Sequence, residues 1–311
     1  MRLHLPQGTL GEGIPLTWTK DLRWEGAAGR LRVATSELVL GELRVAVTGA
    51  VTGLGGDRPL ADLELAGGPA ELASLQGYLP SGLAPELDRW TSSGTATLGA
   101  FIRGPFGAEP DSALDWGLRF SLTNGTIEHP DLPTAVRDIA LVVAARPGLV
   151  HLERLEARTA GSRLAVSGEV SDPVADPAYR LEVDADVDLA EATALRPAGP
   201  EAPTVAGRAG GRVSVRGRAQ DPASLAIVGP VTLTGVTVSG PGMTAPIRDL
   251  TARGRLDGRV LRLDELSLLQ GRSDYRVQGT VTDPLALLPP EAGGPPAASD
   301  VATIDLTASC R

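Results

Sequence analysis

The chain has 311 residues and a formal charge of −9 at pH 7, with 22% charged residues. That balance excludes a polybasic nucleic-acid binder and a highly charged disordered tail. Aromatics are only 3% against 42% hydrophobic residues, and 38 glycines with 25 prolines favour many short strands over long helices. The single cysteine, Cys310, excludes an internal disulfide framework and a multi-cysteine metal site. No apolar run reaches the ~18 residues of a membrane-spanning helix, and Met1–Pro6 leads into no signal-type apolar segment.

In chain order, Leu3 and Leu5 alternate like strand residues, and strand patterns follow at Leu43–Val47 and Leu63–Leu65. Helix formers occupy Ala70–Tyr78 and Pro85–Trp90, separated by Pro80. Leu114, Trp116, Leu118, Phe120 and Leu122 then alternate with Asp115, Gly117, Arg119 and Ser121, a period of two that predicts a strand with one apolar and one wet face. In Leu181–Leu189 the acids Glu182, Asp184, Asp186 and Asp188 fill every second place. Short helices are expected at Leu189–Leu195 and Pro284–Leu288, loops at Arg196–Thr204 and Pro289–Ser299, and further strands at Val213–Val215, Leu261–Leu263 and Thr303–Thr307. Pro147-Gly148, Asp172-Pro173 and Asp257-Gly258 supply turns between hairpin strands.

The chain also repeats itself. Leu122-Thr123-Asn124-Gly125-Thr126-Ile127 matches Leu233-Thr234-Gly235-Val236-Thr237-Val238, an offset of 233 − 122 = 111. The same offset pairs Arg137-Asp138-Ile139 with Arg248-Asp249-Leu250, and the Ser162–Pro173 run with Ser273–Pro284. An earlier copy shows in Lys20-Asp21-Leu22 and in Val45, Val47, Gly49 and Val51. The predicted organisation is three β-repeats: 1–93, carrying a short helical insertion near 70–90, then 94–204, then 205–311. Both ends fall inside strand patterns, so the sequence reads as a fragment of a longer repeat protein. Repetition of this kind favours an all-β, mostly antiparallel sheet that is elongated and curled into an apolar groove, with few short helices.

Catalytic chemistry is hard to place. Of the three histidines, His4, His129 and His151, the latter two fall outside the repeated pattern, and Ser162 lacks a nucleophile elbow. The acids of Leu181–Leu189 stand ~6–7 Å apart on one strand face, too far to share a calcium ion. No metal, cofactor or nucleic acid is expected, and no enzyme activity. The basic–Asp–aliphatic element at Lys20, Arg137 and Arg248 reads as structural, entering a strand or placing charge at an edge.

The run Leu122–Pro133, the Arg137-Asp138-Ile139 step, Gly161–Gly168, and Gln76–Pro80 ahead of Gly94–Leu98 together resemble the AsmA-like family. The third copy departs from the pattern, with Met243-Thr244 where Leu132-Pro133 stand. The resemblance implies a periplasmic, non-enzymatic protein of outer-membrane biogenesis, tethered to the inner membrane by an N-terminal anchor missing from this chain. It further implies a β-groove that carries phospholipid acyl chains between membranes, with outer-membrane or envelope proteins as candidate partners. The groove-facing candidates are Trp116, Leu118, Phe120, Leu122, Leu164, Val166, Leu181, Val183, Val187, Tyr275 and Val277. The competing expectation is a structural β-repeat of a surface or adhesion protein, with a dry packed interior.

Overall fold

A computed structural model describes residues 4–5, 8–9, 16–40, 42–56, 58–76, 89–105, 114–130, 132–194, 203–284 and 302–310. The fold is all-β: among the described residues 76% lie in strands and 5% in helices, and 17 of the strands form curled antiparallel sheet. By contacts the chain forms two units, Met1–Pro130 with Ala135–Ala157, and Asp131–Thr134 with Arg158–Arg311.

In the first unit a two-residue hairpin, β1 (His4–Leu5) with β2 (Gly8–Thr9), precedes the sheet. Two short strands, β3 (Leu16–Thr19) and β4 (Leu22–Glu25), both pair with β5 (Arg30–Leu40). The meander continues through β6 (Leu43–Thr52), β7 (Leu60–Glu71), β8 (Thr91–Pro105), β9 (Asp115–Glu128) and β10 (Val136–Arg146), each paired with the one before it. Strand β11 (Leu149–Arg158) follows the Pro147-Gly148 turn. The short helix α1 (Leu72–Gln76) begins two residues later than expected, because Ala70 and Glu71 are still paired with Ala96 and Thr95 in β8.

The second unit runs from β12 (Arg163–Ser171) to β13 (Ala178–Asp188), helix α2 (Leu189–Ala194), β14 (Thr204–Arg218) and β15 (Asp221–Ser239). It continues through β16 (Ile247–Gly258), β17 (Val260–Gln270), β18 (Ser273–Thr282) and β19 (Thr303–Cys310), with every neighbouring pair antiparallel. Helix α2 begins where expected, since Asp188 ends the strand and its Oδ1 accepts the backbone N–H groups of Ala190 at 2.8 Å and Glu191 at 3.3 Å. The helix expected at Pro85–Trp90 lies outside the described residues except at its last two positions. Of the helix at Pro284–Leu288, only Pro284 is described.

The sequence repeat reappears in the backbone. Left-handed non-glycine residues are Asn124, Asp138 and Asp172, with φ of 52°, 52° and 50°. At +111 stand Gly235, Asp249 and Asp283, at 58°, 50° and 55°. Asn124 and Asp138 sit at opposed irregularities: Leu122 pairs with Leu141, Gly125 with Ile139, and Ile127 with Val136. One extra residue on β9 is therefore followed by one extra on β10, and the register is restored. Leu233–Ala252, Val236–Leu250 and Val238–Ile247 repeat the same compensated pair of bulges. Asp fits because its short polar side chain tolerates the left-handed region better than most residues do. At Arg137 and Arg248 the basic–Asp–aliphatic element is thus a bulge device near the start of its strand, and Asp249 lies on β16, between β15 and β17, rather than at an edge.

A second recurrent position is Gly49, Gly168 and Gly279, with φ of 132°, 144° and 146°. Each stands directly opposite a leucine: Leu63, Leu181 and Leu306. A Cβ there would lie 2.9, 2.8 and 2.9 Å from that leucine's Cα, and would also strike the carbonyl oxygen before it. No side chain fits without moving the neighbouring strand. Gly168→Ala and Gly279→Ala are each expected to cost roughly 2–4 kcal/mol in urea unfolding. Gly242→Ala, at φ 84° with nothing within 4 Å of the added carbon, is expected to cost only about 1–2 kcal/mol. Equal losses at all three sites would show that the close strand approach is not the limiting factor.

Candidate functional site

Directly opposed residues of antiparallel strands project to the same side, so the register determines which apolar residues share a face. In the first unit a row runs Leu38–Val45–Gly67–Leu98–Phe120–Val143 across six strands. Beside it runs Ser36–Val47–Leu65–Ala100–Leu118–Ala145, and then Leu22–Val33–Gly49–Leu63–Ile102–Trp116. Burial changes along β9: Trp116 and Leu118 are each 39% exposed, whereas Leu122 is buried against Ala96 and Ile139. Leu72 of α1 packs on that cluster with Phe120, Leu141 and Leu155. One end of the apolar face is therefore a packed core covered in part by α1, and the other is open to solvent.

The second unit is built the same way. Leu164–Ala185–Gly211–Val231–Gly254–Leu263–Gly279–Leu306 is one unbroken row over eight strands. Val187–Ala209–Leu233–Ala252–Leu266–Val277–Ala308 runs parallel to it. Val166 and Val183 are opposed and continue to Val213, while Leu181 is opposed to Val215. Tyr275 pairs with Leu268 and Cys310, two residues from Val277 and on its face. Leu164 and Leu306 are exposed, and Val166, Leu181, Val183, Val187, Tyr275 and Val277 are half-buried.

The structure thus gathers four of the eleven candidates onto the first unit's apolar face and seven onto the second's. It adds partners that alternation alone does not identify, among them Leu98, Ile102, Leu233, Leu256 and Leu266. Their neighbours depend on a cross-strand register displaced by bulges, and no sequence pattern reports it. Ser36, opposite Val47, is 1% exposed, and among the described residues its hydroxyl has no hydrogen-bond partner. An unmet buried hydroxyl costs free energy, so Ser36→Ala is expected to leave the melting free energy unchanged or raise it by up to about 1 kcal/mol. A loss above that would reveal a partner the hydroxyl depends on.

The opposite faces carry paired charge. Arg103 reaches Asp62 at 3.2 Å and Glu64 at 2.7 Å, and its guanidinium lies 4.9 Å from the centre of the Phe101 ring. Arg119 forks onto both oxygens of Glu153. Arg212 and Arg208 hold Asp184 at 2.6 Å and Asp186 at 2.8 Å. These hydrogen-bonded guanidinium partners keep the carboxyls of Asp184 and Asp186 below the usual carboxylate range. Asp184 and Asp186 of β13 are therefore arginine partners on a solvated face, while Asp188 caps α2.

Gly161 and Ser162 form a polar clamp. Glu191 of α2 accepts hydrogen bonds from the hydroxyl groups of Thr159 and Ser162 and from the Gly161 N–H at 2.8 Å. Ser162 Oγ in turn accepts the Asp188 N–H at 3.0 Å, and Arg208 donates to the Gly161 carbonyl at 3.1 Å. The serine hydroxyl is thus committed to joining a turn to a helix. His129 stands edge-on to Trp90, with ring centres 5.5 Å apart. Among the described residues no group of three or more His, Cys, Asp or Glu side chains could hold a metal ion, and no helix is long and apolar enough to cross a membrane.

The Thr159 hydroxyl, then that of Ser162, lowers the Glu191 carboxyl from its ordinary value, against a smaller opposing effect of desolvation. A carboxylate lowered in the folded state contributes stability above its unfolded pKa. That contribution is lost as pH falls through the lowered folded value. Amide exchange at Gly161 and Ser162, corrected for intrinsic rate, is expected to hold steady from pH 7 to about 5 and to accelerate below about 4. Glu191→Ala should show the accelerated rate already at pH 7; unchanged protection in that variant would remove the clamp from the account. No family model, no curated protein and no solved structure matches this chain.

Proposed function

We propose that the protein is a non-enzymatic, AsmA-like carrier of phospholipid acyl chains, with the chains lying against the apolar rows of its sheet. In this reading it works in the periplasm of a two-membrane envelope during outer-membrane biogenesis. There it is held to the inner membrane, with envelope proteins as its partners. The observation that carries the proposal is the unbroken apolar row that stays partly open to solvent, Leu164 to Leu306 in the second unit.

Eight strands spaced ~4.8 Å apart make such a row about 34 Å along the face. Each CH₂ withdrawn from water is worth ~0.8 kcal/mol, so a 16-carbon chain gains ~13 kcal/mol from continuous apolar contact. Shallow, repeated contacts suit movement, because no single site holds the chain tightly. The wide use of Val, Leu, Ala and Gly, without a convergent polar group, agrees with that requirement.

The alternative is a structural β-repeat of a surface or adhesion protein. The Ala96–Leu122–Ile139 cluster favours it locally. Against it, only ten apolar residues are buried among the described residues, and five of them are alanine. A sheet with a dry, filled interior buries more of its Leu and Val.

Two measurements separate the readings. A photo-crosslinking residue at position 120 or 166 is expected to capture phospholipid from cells, whereas the same residue at Thr48, on strand β6, should not. Val183→Asp places a carboxylate between Val166 and Val213. For a carrier, the variant should fold, with melting lowered by no more than a few degrees, and lose lipid capture. Unfolding of Val183→Asp together with no lipid at 120 or 166 would establish the packed structural repeat instead.

A further inference from the structure

We propose that a dish on the charged face of the second unit binds a phosphate group, either as free phosphate or as the phosphomonoester of a lipid headgroup. The dish has a volume of about 270 Å³, with a lining that includes Arg180, Arg216, Arg218, Glu169, Ser171 and Ala178. Register explains how it forms. Glu169, Arg180 and Arg216 are opposed in one row across β12, β13 and β14, and Ser171, Ala178 and Arg218 are opposed in the next. All six project to one face, and Ala178 is the small floor between longer side chains.

The charges are unbalanced. Arg180 reaches Glu169 at 3.3 Å, and Arg218 is held by Asp176, which is not part of the lining. Arg216 has no ion pair among the described residues, although it stands directly opposite Arg180. Like charges directly opposed across a ladder repel, and a bound anion removes that repulsion. Most opposed charges on this face have opposite signs, as in Asp184–Arg212 and Arg253–Glu265. Opposed arginines do recur at Arg23–Arg32 and Arg255–Arg262. What sets Arg180–Arg216 apart is the dish itself, with the small side chain of Ala178 at its floor and Arg218 on its lining.

Backbone order supports the same site. Ser224 Oγ accepts the Arg218 N–H at 2.8 Å and donates to the Asp221 carbonyl at 2.6 Å, tying the end of β14 to the start of β15. Asp176 orients the Arg218 guanidinium from outside. A guanidinium meets a phosphate through paired, charge-assisted hydrogen bonds, and Arg216, with no ion pair among the described residues, is the group placed to make them.

The test uses the full chain. Inorganic phosphate, titrated at low ionic strength and followed by amide NMR, is expected to shift the resonances of β13 and β14 saturably, with weakening as sodium chloride screens the charges. Arg216→Ala should weaken binding by about tenfold. Arg262→Ala, which removes one member of an opposed arginine pair outside the dish, should leave binding unchanged, with circular dichroism confirming the fold of both variants. Vesicles containing phosphatidic acid, compared with pure phosphatidylcholine vesicles, distinguish the sources. Capture that inorganic phosphate displaces identifies the lipid headgroup, and phosphate binding without capture identifies the free ion. Absence of a saturable shift in the wild type, or an equal shift in Arg216→Ala, overturns the proposal.

Discussion

Period-two alternation gives every strand one face that water wets poorly, and an antiparallel ladder adds those faces together. Everything else in the two units follows from that summation. Because opposed residues point the same way, a Leu or Val on one strand meets a Leu, Val, Ala or Gly on the next, and the apolar surface grows into continuous rows. The opposite face collects Asp, Glu and Arg by the same geometry, which is why so many of its charges are paired across strands rather than along them. A one-residue slip would exchange the two faces and place arginines among leucines. Register is therefore the constraint on which both fold and proposed function depend.

Long strands make that register vulnerable, because twist accumulates and neighbouring strands drift out of step. The compensated bulges at Asn124 with Asp138, and at Gly235 with Asp249, place one extra residue on each partner. Both strands bend locally, and the apolar rows resume in register on the far side. The recurrent glycine opposite a leucine allows two backbones to approach where a side chain would force them apart. These devices recur at matching places in the repeats. They serve the shape of the sheet.

Much of the fold was legible because alternation is a local property. The strand at Leu114–Leu122, the acid-studded strand ending at Asp188 and the helix that follows it could all be read residue by residue. The groove candidates were legible as a face, since each was chosen for its place in an alternating run. What could not be read was how open each one is. Trp116 and Leu122 occupy equivalent alternate positions of β9, yet one is exposed and the other lies in a core beneath α1. That difference comes from elements far away in the chain. The basic–Asp–aliphatic element does stand where a strand begins, as read, but the bulge at Asp138 and Asp249 was hidden for a related reason: a bulge is a property of two strands, and only one is visible in any stretch of sequence.

By itself the sequence determined that this is an antiparallel β protein built from related copies, with a greasy side and a charged side to each strand. Alternation, turn residues and the 111-residue offset are local or periodic signals, and they survive without knowledge of what packs where. Only the tertiary structure decided which side chains are neighbours across strands, where the apolar face closes into a core, and which arginines stand opposite one another. Those outcomes depend on register, and register is decided by the free energy of two strands meeting rather than by the residues of either one alone.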